Sequence, residues 1–260
     1  MDFQVGLVIA GLVVGFIVGL TGVGGGSLMT PILLWFGITP TTAVGTDLLY
    51  AAITKCGGVY VHNKKSNINW SITGWLSLGS IPAALLTLYI LNVINADTTA
   101  LNNVIKFSLG WALVLTSVAI IFKHKIMVFS QKHAGDKFHK ESKTQNFLTV
   151  AIGVLLGVTV TLTSIGAGAL GTVTLFFLYP LLPTPRLVGT EIAHAVPLTL
   201  VAGLGHASMG NLDLVLLGQL LLGSLPGIYI GSMLSGKVPD LVLRNALAIM
   251  LFFVGLKYIT

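Results

Sequence analysis

Long apolar runs follow one another along almost the whole chain, and no other feature limits its possible folds as strongly. Runs such as Trp70 to Leu91 and Leu101 to Phe122 are long enough to cross the roughly 30 Å hydrocarbon core of a bilayer as helices. Charged residues make up only 8% of the chain, against roughly 25% in soluble domains. The sequence therefore predicts an all-α polytopic membrane protein surrounded by the lipid bilayer.

Two glycine-rich runs interrupt this apolar pattern. They read TGVGGGS at residues 21–27 and TSIGAGA at residues 163–169. A shorter apolar segment follows each run, at residues 28–36 and 170–182, and the pattern leaves open whether these segments cross the bilayer. We interpret both regions as glycine-broken helices or re-entrant hairpins near the midplane of the membrane.

The second half of the chain repeats the first. VGTD at residues 44–47 aligns with VGTE at 188–191, and GSIP at 79–82 aligns with GSLP at 223–226. A lysine-rich stretch lies between the two copies. The predicted organisation is a first transmembrane repeat at 1–122, a linker at 123–146 and a second transmembrane repeat at 147–260.

The charges of the loops predict how the repeats are oriented. With about five apolar segments in each half, an odd number, the halves would run in opposite directions, as in many transporters built from inverted repeats. Lys64, Lys65 and Arg186 fall on the same side as the lysine-rich linker, and the loops assigned to the other side contain no Lys or Arg. By the positive-inside rule, the linker is predicted to be cytoplasmic and both termini to lie outside.

Composition and motifs exclude several other function classes. The net charge of +6 comes largely from these loop lysines, so it does not indicate nucleic-acid binding. Cys56 is the only cysteine, which excludes an internal disulfide and a cysteine metal cage. The sequence contains no recognisable pair of nucleophile and base, and the glycine runs lack the ending of a phosphate-binding P-loop. We therefore expect no enzyme activity, no cofactor and no bound metal.

The glycine runs have two possible roles. Small residues allow helices to pack closely, whereas a broken helix exposes backbone N–H groups that can bind an anion. The recurrence of the runs in matching places favours the anion site. Its predicted substrate-binding residues are Thr21, Gly24, Gly25, Gly26 and Ser27 in the first half and Thr163, Ser164, Gly166 and Gly168 in the second.

Three ionisable residues lie inside apolar segments, where such residues are functional candidates by default. Asp47 and Glu191 occupy equivalent positions in the two repeats. Lys55 is eight residues after Asp47, a spacing that points the two side chains about 80° apart around one helix. Two interpretations of Lys55 stay open: it pairs with Glu191 from another helix, or it faces a cavity and attracts an anion.

The acids also allow alternative roles. Glu191 and His194 share one helical face, which makes these two, with Asp47, candidates for proton or ion coupling. Thr46 and Thr190 precede the acids and are added to the predicted substrate-binding residues. The competing hypothesis is helix capping, in which these Thr and acid pairs lie at helix starts.

The quoted motifs together resemble the TauE/SafE family of membrane permeases. They are GVGGGSLMTP and SIGAGALGTV, the repeated VGT element, and GSIPA and GSLPG. The resemblance covers nearly the whole chain and implies a multi-pass carrier of the bacterial cytoplasmic membrane that exports small sulfur oxyanions such as sulfite, or organosulfonates. The chain departs from the family pattern at Asp47 and Glu191, where serine is frequent, and at Ala167 and Ala169, where glycine is common.

We therefore expect a secondary transporter that works by alternating access and holds an oxyanion through loop N–H groups and hydroxyls. Its expected partners are a small anionic substrate, the bilayer and, as an open option, a second copy in a homodimer. The alternative is a carrier of protons, sodium or a divalent cation that uses Asp47, Glu191 and His194.

Overall fold

The computed structural model describes residues 4–21, 28–94, 98–132, 143–234 and 240–259. These residues contain helices and no strands, which confirms the predicted all-α class. The helices are α1 (Val5–Thr21), α2 (Met29–Trp35), α3 (Pro40–Lys64), α4 (Trp70–Ile94), α5 (Thr98–Lys132), α6 (Lys143–Thr163), α7 (Ala169–Leu178), α8 (Thr184–Ser208), α9 (Leu214–Leu234) and α10 (Asp240–Ile259).

Five of these helices are long and apolar enough to cross a membrane, namely α4, α5, α6, α8 and α9. The two segments left open by the sequence form the short helices α2 and α7, with 7 and 10 residues. At 1.5 Å per residue they measure about 10 Å and about 15 Å, less than the hydrocarbon thickness. Neither short helix crosses the bilayer by itself.

Local sequence explains where the helices begin and end. Pro40 opens α3, and α8 likewise carries a proline in its first turn, where the missing N–H of proline has no helical acceptor to lose. Gly37 follows α2 with a φ of 79°, a left-handed conformation that glycine adopts without strain. The chain therefore turns between α2 and α3 at residues 36–39.

The main helix contacts join the first half of the chain to the second. Helix α1 packs on α9, α4 packs on α6, α3 packs on α8, and α5 packs on α10. Each helix has a counterpart five positions along in the other half, so that α1 corresponds to α6 and α4 to α9. When every helix is replaced by its counterpart, the α1–α9 contact becomes the α4–α6 contact. The α3–α8 and α5–α10 contacts are unchanged by this exchange. The tertiary structure thus preserves the duplication that the sequence motifs indicate.

Helices α3 and α8 run antiparallel to each other. Gly45, near the start of α3, lies against Asn211 just beyond the end of α8, where an added Cβ would be 2.1 Å from the Asn211 carbonyl oxygen. Gly189, near the start of α8, lies in the same way against Asn67 beyond the end of α3, again at 2.1 Å. An inverted repeat requires this relation of its third helices, and the inverted orientation of the complete halves stays a prediction.

Helical structure extends into the predicted linker from both sides. Helix α5 continues to Lys132, and α6 begins at Lys143. Residues 133–142 of the predicted linker lie outside the described residues. The predicted boundaries of the two repeats at 122 and 147 therefore fall inside α5 and α6.

Candidate functional site

The second glycine run breaks the chain between α6 and α7. Ser164 has a φ of 59° and Gly166 a φ of 120°, both in the left-handed region that L side chains rarely adopt. The hydroxyl oxygen of Thr163 accepts a hydrogen bond from the Ile165 N–H at 3.0 Å and thereby stabilises the turn. Thr163 thus supports the loop, while the strained conformation of Ser164 is of the kind found at functional sites.

The start of α7 offers several hydrogen-bond donors. The first-turn N–H groups of Ala169 and Leu170 have no acceptor among the described residues, as expected for the first turn of a helix. The Ser164 hydroxyl is buried and also lacks a partner there. Because unpaired N–H groups at a helix start carry partial positive charge, this region is suited to a negatively charged ligand.

Lys55 reaches this loop from the other half of the chain. Its side chain is 6% exposed, and its ammonium group donates a hydrogen bond to the carbonyl oxygen of Ala167. The ammonium also lies within electrostatic range of Glu191 and Asp47. Lys55 therefore lies near Glu191 and also brings a positive charge to the second glycine loop, and both interpretations of its role stay predictions.

Asp47 binds the start of a different helix from its own. One oxygen of its carboxyl group, Oδ2, accepts hydrogen bonds from the N–H of Thr30, at 3.2 Å, and from the Thr30 hydroxyl. Thr30 lies in the first turn of α2. The other oxygen, Oδ1, has no partner among the described residues, and the Ser164 side chain is close enough to interact with the carboxyl group.

Glu191 occupies the corresponding place at α7. The side chain is 2% exposed and lies against Gly171, where an added Cβ would be 2.9 Å from the Glu191 Cγ. Its Oε1 atom has no hydrogen-bond partner among the described residues. Equivalent acids of the two repeats thus lie beside the first turns of the two short helices.

The helix-capping hypothesis for these acids is wrong. Asp47 lies seven residues after Pro40, the first residue of α3, and Glu191 lies seven residues after Thr184, the first residue of α8. At those positions a carboxyl group is almost two turns inside its own helix, beyond the unpaired N–H groups that a cap would satisfy.

His194 is held by α4 and not by Glu191. Its Nε2 atom lies 2.8 Å from the Ser80 hydroxyl oxygen, and its Nδ1 atom has no partner among the described residues. No hydrogen bond in the described structure joins the ring to the Glu191 carboxyl group. The ring does lie within electrostatic range of Lys55, so it belongs to the same buried polar centre.

Thr46 and Thr190 lie at the crossing of α3 and α8. The Thr46 hydroxyl oxygen accepts a hydrogen bond from the Asp213 N–H at 3.3 Å, and the Thr190 hydroxyl oxygen accepts one from the Asn69 N–H at 2.9 Å. Asp213 and Asn69 immediately precede α9 and α4. Thr46 of the first half thus binds the start of α9 in the second half, and Thr190 of the second half binds the start of α4 in the first.

Sequence reasoning missed Thr30, Gly171 and Ser80. A signal for Thr30 was available, because the aligned glycine motifs place Thr172 at the equivalent position, three residues after Ser27 and Ala169. Ser80 lies in the duplicated GSIP element, whose role the motif alone does not reveal. Gly171 could not be recognised, since its importance depends on a side chain from another helix.

The first glycine run is only partly described. Helix α1 ends at Thr21, whose side chain is not described, and the predicted binding residues Gly24, Gly25, Gly26 and Ser27 lie outside the described residues. Within the described part of the chain, no group of three or more His, Cys, Asp or Glu residues could hold a metal ion.

The fold and the buried centre define a class of protein. Apolar helices long enough to span a membrane pack against two short helices whose first turns meet buried acidic side chains, and short helices of this kind beside buried charges are found in many secondary transporters. Comparison with known proteins then identifies the family. The chain belongs to the sulfite exporter TauE/SafE family, which matches residues 7–258, as the sequence motifs predicted.

Two relatives from Bacillus subtilis illustrate the similarity. The probable membrane transporter protein YjnA is 40% identical over 219 residues, which cover 84% of this chain and 85% of the relative. The probable membrane transporter protein YdhB is 27% identical over 222 residues, with 83% of each chain covered. No solved structure gives a significant match. The protein is a multi-pass membrane transporter of this family.

Proposed function

We propose that this transporter carries small sulfur oxyanions or organosulfonates, with sulfite as the first candidate, out of the cell across the bacterial cytoplasmic membrane. Membership of the sulfite exporter TauE/SafE family supports the substrate class. The contact between Lys55 and Ala167 carries the proposal. It brings a buried cation to a helix start where N–H groups and a hydroxyl have no acceptor among the described residues.

These donors suit an oxyanion in particular. Sulfite and sulfonates present three oxygen atoms, each of which accepts hydrogen bonds. Lys55 supplies charge, while the N–H groups of Ala169 and Leu170 and the hydroxyl of Ser164 supply donors from other directions. Charge-assisted hydrogen bonds of this kind are stronger than those between neutral groups.

The proposed orientation places the lysine-rich linker in the cytoplasm. Support comes from the packing of α3 on α8, because the loop that follows Lys64 and Lys65 lies against Gly189, one turn into α8 from Arg186. These loop residues of the two halves therefore lie at one end of the molecule, as the positive-inside rule expects of a cytoplasmic end. In this orientation, a membrane potential that is negative inside assists anion export by about 2.3 kcal/mol per charge per 100 mV.

The decisive experiment measures sulfite efflux from proteoliposomes under an imposed membrane potential. In Lys55→Met, a charged hydrogen-bond donor worth about 1.5–3 kcal/mol is lost, and we expect flux to fall at least about tenfold. Lys106→Met is the matched control, since Lys106 is exposed on α5, and its flux should match that of the native chain. Gly25→Leu, which would obstruct the first glycine run, should also abolish flux. Native protein with no flux above empty liposomes would contradict the proposal for sulfite.

One observation favours a second candidate, a cation carrier. Asp47 Oδ1 and Glu191 Oε1 are buried carboxyl oxygens without partners among the described residues, and they could serve, with His194, as ligands of a cation. The variants Asp47→Asn and Glu191→Gln separate the two candidates. A cation carrier loses cation binding and transport in both variants, whereas an anion carrier still moves sulfite in Glu191→Gln.

A further inference from the structure

The buried centre has an unbalanced charge before any substrate arrives. Asp47, Glu191 and Lys55 are 0%, 2% and 6% exposed, and the Lys55 ammonium lies within electrostatic range of both acids. Tyr50 lies near Asp47, and His194 lies near Lys55. With both carboxyl groups ionised, one positive charge faces two negative charges. A substrate anion would add a further negative charge where water does not screen it.

The two carboxyl groups differ in how they are held. Asp47 Oδ2 accepts two hydrogen bonds from Thr30, and both bonds stabilise the ionised carboxylate. Glu191 Oε1 accepts none from the described residues and lies against the bare backbone of Gly171. Protonation of Glu191 therefore breaks no hydrogen bond at Oε1, and it creates an O–H donor next to the start of α7.

We infer that Glu191 takes up one proton when the anion binds beside Lys55, and that the proton and the anion cross the membrane together. This inference rests on the proposed function. The proton comes from water on the loading side and forms an O–H bond on the Glu191 carboxyl group. That bond breaks on the opposite side, where the proton returns to water and the anion leaves. The Glu191 O–H group donates to the bound oxyanion while Lys55 balances Asp47.

Other groups around the centre do not take this role. The Asp47 carboxylate is held by Thr30, and Tyr50 beside it is a neutral phenol at physiological pH. The Nε2 atom of the His194 ring lies against Ser80, and a proton on its Nδ1 atom would place a second positive charge near the Lys55 ammonium. Glu191 is therefore the group whose change of protonation can compensate the charge of the substrate.

The inference can be measured because anion binding and protonation of Glu191 are thermodynamically linked. If anion binding favours protonation of Glu191, then protonation must favour anion binding to the same degree. A pH gradient alone should then drive the anion toward the alkaline side. Because the proton cancels one negative charge of the anion, the membrane potential acts only on the charge that remains. The net direction of transport follows the sum of this term and the anion and proton gradients.

Flux in proteoliposomes with the membrane potential clamped at zero tests the inference. The probes are sulfite and methanesulfonate, whose sulfonate group does not titrate near neutral pH. Native protein should accumulate methanesulfonate on the alkaline side by up to about tenfold per pH unit, the limit for one proton per anion. In Glu191→Gln this accumulation should disappear, while a reduced flux down an imposed methanesulfonate gradient remains. Glu191→Asp, which keeps a carboxyl group, should restore the response to the pH gradient.

A binding measurement on the native protein gives an independent result. Methanesulfonate added to the detergent-solubilised transporter should cause uptake of about one proton per bound anion near neutral pH. Asp47→Asn is the matched control, whose remaining flux should still respond to the pH gradient. Native flux of either probe that ignores the pH gradient, or binding without proton uptake, overturns the inference and leaves the proposed function standing. Absence of flux for both probes removes the proposed function itself.

Discussion

Asp47 and Glu191 occupy equivalent positions in the two repeats, but their side chains differ in length by one methylene group and make different contacts. The shorter Asp47 reaches Thr30 in the first turn of α2. The longer Glu191 lies against Gly171, one residue before Thr172, which is the counterpart of Thr30 in the aligned repeats. The bond between acid and threonine in the first half is therefore not repeated in the second, and the two carboxyl groups acquire different chemistry.

Thr30→Val should destabilise the protein. The substitution keeps the shape of the side chain but removes the hydroxyl donor to the buried Asp47 carboxylate, a bond to a charged group worth about 1.5–3 kcal/mol. Thr87→Val is the matched control, because Thr87 is also buried but donates to a carbonyl of its own helix, Ala83. Thermal unfolding in detergent should show a clearly lower midpoint for Thr30→Val than for Thr87→Val. Equal midpoints would show that the hydroxyl contributes nothing to the stability of the α2 contact.

Gly171→Ala should lower transport more than it lowers stability. An added Cβ would lie 2.9 Å from the Glu191 Cγ, and this flexible side chain can move away at a cost of about 1–3 kcal/mol. The displacement removes Glu191 from the start of α7. Gly218→Ala on α9 serves as the control, since nothing lies within 4 Å of its added Cβ. Sulfite flux and the unfolding midpoint measured on the same preparations test this, and unchanged flux in Gly171→Ala would refute it.

At the level of helices, glycine acts mainly as a packing residue. Gly11, Gly15 and Gly19 bring α1 against the α9 backbone, where an added Cβ would lie 2.5 Å or less from a carbonyl oxygen in each case. Gly223, Gly227 and Gly231 of α9 approach the α1 backbone in the same way. Such spacing of small residues allows close helix contact inside a membrane. These helical glycines, which lie outside the two runs, therefore serve close helix packing, whereas Gly166 in the second run has a backbone conformation that favours glycine.

Gly45→Ala tests the reciprocal contact between α3 and α8. The added Cβ would lie 2.1 Å from the Asn211 carbonyl oxygen, and backbone cannot yield as easily as a side chain, so we expect a loss of about 1–3 kcal/mol or more. Gly57→Ala on the same helix has open space around the added Cβ and should be neutral or stabilising by up to about 1 kcal/mol. The unfolding midpoint should fall in Gly45→Ala and stay unchanged or rise in Gly57→Ala. A Gly45→Ala variant as stable as Gly57→Ala would contradict the contact.

At the level of the whole molecule, the two halves are interlocked. Helices α1 and α6 each pack chiefly on a helix of the opposite half, α9 and α4 respectively. A movement of one complete half against the other would have to separate both of these glycine-lined contacts. The alternating-access cycle expected from the sequence would therefore require moving units that combine helices from both halves.

Expression of the chain as two fragments tests this interlocking. With a cut between residues 132 and 143, neither fragment should give a stable, monodisperse protein, because each exposes helix faces that its partner buries. Coexpressed fragments should copurify through a tag on one of them and recover sulfite flux, with the uncut chain as reference. A fragment that is stable and monodisperse alone would show that the halves are independent domains.

Local patterns were sufficient to predict much of this protein. The length of the apolar runs predicted membrane-spanning helices, glycine spacing predicted the break before α7, and the aligned motifs predicted the duplication and the family. Each of these properties depends on residues that are close in sequence or on direct comparison of the two halves. Burial of Asp47, Lys55 and Glu191 also followed from sequence, since all three lie within apolar segments.

The sequence by itself determined the class of the protein, its family and the polar residues that the bilayer must enclose. Only the tertiary structure decided which of these residues meet. Lys55 contacts Ala167 over a separation of 112 residues, and the Asp213 N–H binds Thr46 over a separation of 167. Sequence alignment pairs a residue with its equivalent in the other repeat. In the fold, Lys55 and Thr46 instead contact residues that are not their equivalents. Those contacts depend on how whole helices cross, which the physics of side-chain packing determines and no local pattern records.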